Sequence, residues 1–375
     1  MQVLKHRGTH AARLERWLGV ETVQHLSASM LNWYGPPIPV SNVPGRIYAV
    51  RGGDFVGSIK GGYFGNAVDF WTSRIRRVAQ VAARRQLSTL NAGFASLSDL
   101  ISEATAGSKR REFQFQKNGS TGVVNVTNSL WGLGATPPAG NNASNAPGGD
   151  VPTDATLGAF LFSNPTGGDT QHFTSGFPLA SVAGNTLLLY DRLFQVNKTM
   201  NSTATEAVTG VPTRYQSQTS SNPDYIGGNF LFVEVGGTAL AATAHNWTVC
   251  TYTDQGGASS TLPSLTGNSG AIVRRLDHPA AQWFAPLENG DVGVKALTQM
   301  QCSALVATGV VNFVIGHPIA WMPCPIANLV CVADGINTAF NLSRVFDDAA
   351  LALLEVCKSA TTATSYTGSF TTVAG

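Results

Sequence analysis

The chain has 375 residues, of which 43% are apolar and only 12% charged, about half the charged share of an ordinary soluble domain. A core of normal size can form, but a solitary soluble enzyme needs more surface charge to stay dispersed, so the balance points to a surface covered by partners. Residues 1–111 carry 15 Lys and Arg against 6 Asp and Glu, a net of +9, and the remainder carries 9 against 16, a net of −7; the basic part suits either nucleic acid or the acidic part of a neighbouring copy.

Residues 1–66 read as an extended arm with a Gly/Pro-rich loop. A short helical stretch near Ala11–Leu18 leads into Asn32–Arg46, where Pro36, Pro37, Pro39 and Pro44 fix φ and remove N–H donors. The opening residues contain no apolar signal core. Arg51–Asn66 is a glycine-rich loop or hairpin without the lysine spacing of a phosphate-binding loop.

Residues 67–134 form a basic amphipathic helix region with a short hairpin. Wound as a helix, Ala67–Leu90 gathers Val68, Trp71, Ile75, Val78, Ala79 and Ala82 in one arc, with Arg74, Arg77, Arg84 and Arg85 in the next. One face packs, and its guanidinium edge is either solvated or a docking face for an acidic subunit or a nucleic-acid backbone. Gly93 breaks the helix. Ser96–Gly107 resumes it, with Ser98 as N-cap and Gly107 as the stop. Phe113 and Phe115, then Val124 and Val126, predict paired strands around the Asn118-Gly119 turn.

Residues 135–155, rich in Pro, Gly and Asn, read as a linker loop and domain boundary. Residues 156–340 read as a β-sandwich domain. The expected strands are Gly158–Phe162, Asn185–Tyr190, Asn229–Val235, Asn246–Thr253, Gly270–Arg274, Asp291–Met300 and Ala304–Ile315, separated by Gly-, Pro- and Asn-rich turns. The uncharged run Ala304–Met322 contains Asn312, Gly316, His317 and Pro318, which suits buried strands and not a membrane helix. Residues 341–375 read as a C-terminal helix and a Ser/Thr-rich tail. The helix is expected over Ser343–Lys358, from the spacing of Val345, Phe346, Ala349, Leu353 and Cys357 and from Asp347-Asp348 in its first turn. The tail is expected to be disordered or to add to a neighbour's sheet edge. The fold class is therefore mainly β with a helical N-terminal part and an antiparallel, sandwich-like or jelly-roll-like C-terminal domain.

Two short pieces suggest chemistry. Thr243-Ala244-His245 and Gly267-Asn268-Ser269-Gly270 look like the base and nucleophile segments of a trypsin-type serine protease, with Asp254 between them. The order His245, Asp254, Ser269 suits a triad, but the segments lie too close together for that fold, and both read more simply as a strand entry and a turn. Asp191-Arg192 stand at the expected end of a strand; neighbours on a strand point to opposite faces, so each serves its own partner. His172 falls in an expected loop, and His278-Pro279 and His317-Pro318 in expected turns. The five cysteines, Cys250, Cys302, Cys324, Cys331 and Cys357, show no metal-binding spacing and suit a reducing compartment. The Asn-x-Thr triplets at Asn197 and Asn246 follow from an Asn/Thr-rich composition. No catalytic constellation, metal site or cofactor is expected.

Along Asn185–Ser217 ("NTLLLYDRLFQVNKTMNSTATEAVTGVPTRYQS"), "NFLFVEVGG", "NWTVCTYTDQGGASSTLPS" and "LENGDVGVKALTQMQCS", the chain resembles virion structural proteins of tailed bacteriophages. The resemblance covers roughly Asn185–Met322. It implies a non-enzymatic, capsid- or tail-associated role in a virion assembled in the host cytoplasm, and it brings no catalytic residues. The partners implied are other virion subunits, namely copies of itself and the major capsid protein. Contact between packaged DNA and the basic N-terminal part stays open, and no membrane is involved. The expected role is a capsid-associated decoration, cement or minor head protein that forms homo-oligomers. The alternatives are the major capsid subunit, with Ala67–Leu90 as its spine helix but little room for a β-hairpin arm between Arg46 and Asn66, and a tail or receptor-binding protein, in which Trp247 and Trp283 would be exposed.

Overall fold

β-Branched and aromatic residues at alternating positions, punctuated by glycine turns, drive most of the chain into strands. The computed structural model describes residues 47–51, 54–58, 93–336, 342–358 and 360–375. The chain divides into two compact units, Met1–Arg84 and Arg85–Gly375. In the first, strands β1 (Ile47–Arg51) and β2 (Asp54–Ser58) form an antiparallel hairpin. The helical stretch near Ala11–Leu18, the proline-rich segment 32–46 and the helix Ala67–Leu90 with Arg74, Arg77, Arg84 and Arg85 lie outside the described residues.

The second unit is mainly β, with one helix among the described residues, α1 (Leu97–Ala106). Ser96, not Ser98, caps it: its Oγ accepts from the Asp99 N–H at 3.1 Å, and Gly107 ends it. Strand β3 follows (Arg110–Gly122). It runs straight through Asn118-Gly119 without the expected hairpin, because its partner is the distant C-terminal strand and not its own continuation.

Sheet I is central. Its order is β4 (Thr127–Ser129), β17 (Leu351–Val356), β7 (Asn185–Thr199), β14 (Val310–Cys324) and β9 (Phe230–Val235), all antiparallel. Sheet II runs from β15 (Ala333–Asp334) through β6 (Gln171–Ala180), β18 (Thr361–Ala374) and β3 to β5 (Ala135–Thr136), with β16 (Arg344–Val345) also on β6. Sheet III contains β11 (Ser259–Thr261), β10 (Asn246–Asp254), β13 (Val294–Cys302) and β8 (Glu206–Ala207), with β12 (Leu265–Thr266) on β10.

One face of sheet I is shared between the other two sheets. Leu187, Leu189, Leu351, Leu353 and Met322 pack on Phe113, Phe115, Tyr366 and Phe370 of sheet II. Further along, Leu231, Val233, Val311 and Phe313 pack on Trp247, Tyr252, Leu297 and Met300 of sheet III. The opposite face, with Leu188, Tyr190, Phe232 and Val314, is covered by non-strand residues such as Trp131, Ala159 and Leu276.

The C-terminal part corrects the sequence reading. Ser343–Lys358 holds two strands and no helix. Leu351–Val356 is buried at all six positions, since Leu351 and Leu353 face one core while Ala352 and Leu354 face the other. A strand buried on both faces shows no alternation, so its apolar run can imitate helical spacing. Asp347 and Asp348 lie in an exposed turn before it. The Ser/Thr-rich tail is likewise ordered as β18, inserted between β3 and β6 of its own chain. Tyr366, Phe370 and Val373 are fully buried there. The segment 135–155, expected as a linker, belongs to the second unit and is bonded into it. Trp131 Nε1 donates to the Asn141 carbonyl at 3.0 Å, the Ala143 N–H donates to Asn312 Oδ1 at 3.2 Å, and Asp150 pairs with Gln195 of β7.

Candidate functional site

The two protease-like pieces do meet in space, but not as a triad. β10 begins at Asn246, and the Gly267 N–H donates to the His245 carbonyl at 3.0 Å, which sets the loop Gly267–Gly270 beside the imidazole. Gly267 is required there, because a Cβ would stand 2.1 Å from His245 Nε2. His245 Nδ1 faces the Thr243 carbonyl at 2.9 Å and Nε2 faces Asp277 Oδ2 at 2.9 Å. Asp277, fully buried, also accepts from Trp247 Nε1 at 2.9 Å and from the Asn268 N–H at 2.5 Å. Asp254 is elsewhere, accepting from the Ala258 N–H at the β10–β11 turn, and Ser269 is exposed. Both ring nitrogens of His245 face acceptors, an arrangement that favours the doubly protonated ring. Burial disfavours that charge, but the Asp277 hydrogen bond and charge outweigh it and hold the His245 pKa above its ordinary value. The cluster staples the entry of β10 to the loop 267–277. The strand entry and the turn expected from the sequence are both present, whereas the partner of His245, Asp277, lies 32 residues on, after a turn whose path is not legible.

Asp191 and Arg192 do serve separate partners, as strand alternation requires, but in mid-strand. Arg192 binds Glu234 of β9 (Nη2 to Oε1, 2.5 Å), donates to Gln195 Oε1 at 2.7 Å, and lies over the Trp131 ring at 4.6 Å. Glu234 Oε1 also accepts from Asn312 Nδ2 at 3.0 Å, and Asn312 Oδ1 accepts from Asn197 Nδ2 at 3.1 Å. Burial, against the nearby Arg192 charge, pushes the Tyr190 phenol up to about 12. On the other face Asp191 takes a bidentate pair from Arg214, both contacts at 2.8 Å, and the Ala350 N–H at 2.9 Å. These groups are bonded to one another and to their neighbours within the fold.

Two further buried ionisable groups do the same work. Glu355 of β17 accepts from Ser120, Asn128, Asn185 and Tyr366, joining sheets I and II. Lys117 of β3, 2% exposed, donates to the carbonyls of Leu133 and Pro137, both at 2.7 Å. Burial lowers its pKa to about 8.

Of the other histidines among the described residues, His172 and His278 are buried and His317 is half-buried. His278 Nε2 accepts from the Val233 N–H at 2.9 Å. His317, within β14, stacks on Tyr215 with centroids 3.7 Å apart and bonds Asn229. His172 lies in β6, opposite Val373 and Arg344, rather than in a loop. Burial lowers His278 and His172 to about 4 and His317 to about 3, with Arg344 adding to the shift of His172 and the Asp277 charge partly opposing that of His278. All five cysteines are free thiols. Among the described residues no group of three or more His, Cys, Asp or Glu is placed to hold a metal, and no helix is long and apolar enough to cross a membrane.

The surface offers what the interior does not. No Lys, Arg, Asp or Glu occurs between Lys295 and Asp334. The middle of this run is buried in β14, but its end returns to the surface along the outer side of β6. The Asn328 and Cys331 N–H groups donate to the Ala180 and Pro178 carbonyls at 2.8 and 3.1 Å, and β15 continues the pairing at Ser175–Gly176. The side chains of Ile326, Leu329, Val330 and Val332 are 56, 54, 51 and 57% exposed. Four aliphatic residues this exposed on one short segment form a patch of the kind that marks an interaction site. A smaller aromatic group lies on sheet I, where Trp321 of β14, exposed, meets Trp283 at 5.1 Å. Trp247, in contrast, is buried against Phe313.

Neither a scan of protein-family models nor a search of curated proteins finds a match to this chain.

Proposed function

We propose that the chain is a structural component of a bacteriophage virion, a capsid-associated decoration, cement or minor head protein that works without a reacting centre. The observation that carries this reading is the placement of charge. His245, Asp191, Arg192 and Glu355 are enclosed and mutually satisfied, while an uncharged aliphatic segment faces outward. Such a surface is unfavourable for a free monomer and suits one that ends buried against other subunits. The finer architecture belongs to the same reading: sheets I, II and III form a sandwich-like or jelly-roll-like body, and the N-terminal part is a basic helical region whose Arg74, Arg77, Arg84 and Arg85 dock on an acidic subunit or on packaged DNA. The test is fractionation of virions purified from cells that produce the chain. Sheared heads should retain it in fixed stoichiometry after tails are removed; its recovery only in the soluble lysate would refute the reading.

A specific observation favours a second reading, the major capsid subunit. The hairpin Ile47–Ser58 stands where the sequence left little room for one, ahead of the segment Ala67–Leu90. The two readings differ in copy number per particle, which quantitative mass spectrometry of heads decides. The tail or receptor-binding alternative keeps the Trp283–Trp321 pair but loses Trp247, which is buried.

A further inference from the structure

The two long sides of sheet II are finished differently. On the β3 side, Arg110–Phe115 pair with β18 alone among the described strands. That edge carries Lys109, Arg110, Arg111 and Glu112, the usual protection of an open strand against pairing with another chain. On the β6 side, the segment Asn328–Asp334 forms the rim, and from Ile326 to Ala333 it carries no charge and no proline. Here the Cys331 and Gly335 N–H groups point inward, to Pro178 and Thr174. The residues Ile326–Asn328 form a turn, with Asn328 at φ 56°; along the stretch after it the alternate N–H groups, those of Val330 and Val332, point away from the sheet. Pro178 has no N–H to return, so the rim is held less tightly there than a full ladder would hold it.

We infer that this rim, Ile326–Asp334, is a self-association edge: two copies of the chain pair through it antiparallel, about a two-fold axis, so that sheet II continues from one copy into the next. The inference rests on the assembly role proposed above and names the partner of that surface as a second copy. A two-fold contact places the same patch against itself, so any net charge at its centre would repel its own image. The stretch Ile326–Ala333 has none. Antiparallel pairing of two such rims satisfies the outward backbone groups and buries Leu329, Val330 and Val332 from both sides, as strand addition does in general.

The full chain should sediment as a dimer at high micromolar concentration and dissociate on dilution. Val330→Lys should weaken the dimer at least about thirtyfold, whereas Leu161→Lys, at an exposed leucine away from this rim, should leave it unchanged. Hydrogen exchange on the unmodified chain covers the case in which Val330→Lys fails to fold. Amides of 328–334 should gain protection as concentration rises. A monomer at every concentration, a dimer indifferent to Val330→Lys, or protection of 328–334 that does not depend on concentration would each overturn the inference; the last would mean that a segment of the same chain covers the rim. Virion incorporation separates the two proposals. A monomer still found in heads sinks this inference alone, and a dimer missing from heads sinks the proposed function alone.

Discussion

The centre of sheet I and the rim of sheet II are opposite in character. At the centre, Asp191, Arg192, Arg214 and Glu234 are enclosed among leucines and aromatics, each with its charge matched. At the rim, Ile326, Leu329, Val330 and Val332 face outward with no charge among them. The usual arrangement is the reverse. The difference teaches that low charge in this chain is not a general dilution: charged groups lock strand register inside, where a misplaced one would be costly, and they are withheld from the one edge proposed to be covered by another subunit.

That contrast can be broken first at the centre. Glu234→Ala strands Arg192 in a buried site and should cost about 3–5 kcal/mol, read as a fall in the urea midpoint at unchanged slope. Replacing Arg192 and Glu234 together with apolar residues should recover most of that loss; a double variant as unstable as the single one would show that the pair does more than match charge.

The next effect in size belongs to Lys117. Its folded pKa, about 8, lies below the ordinary 10.5, so the unfolded chain holds that proton more tightly. This lysine therefore disfavours the fold below about pH 8, and stability should rise as pH increases from about 8 towards 10.5, by up to about 3 kcal/mol. Lys117→Met should abolish the rise in melts taken across that window.

His245 gives a smaller effect of opposite sense. Its folded pKa is raised above 6.5, so its contribution is complete below that value and declines as pH climbs through the folded pKa. His245→Gln should flatten that decline in melts taken as pH rises from about 6.5 through neutrality and above. The smallest effect is expected at the rim: Val330→Lys should change the stability of the isolated chain by no more than about 0.5 kcal/mol, because nothing inside the fold depends on that exposed side chain. A large loss would mean that the rim is part of the core.

The sequence revealed those parts of the fold whose strands have one wet face or a clear turn. β10 alternates, β9 lies between glycine turns, and Asp191-Arg192 could be split between two faces by strand geometry alone. It failed where both faces are buried. Leu351–Val356 lost its alternation to a second core and imitates a helix, and His172, expected in a loop, lies in a strand whose pattern Gly176 and Pro178 interrupt. The tail became a central strand through pairing with residues 186 to 203 positions away, which no local pattern records. Of the site, the uncharged run around β14 was visible, but its return to the surface at Ile326–Val332 depends on where β6 lies. His245 was noticed for a superficial likeness, and its real partner, Asp277, could be found only in three dimensions.

A symmetric cryo-EM reconstruction of the virion should show this chain in repeated copies on the head, with the segment 326–334 paired to the same segment of a neighbour. A map that places no copy of the chain in the particle would contradict the proposed role.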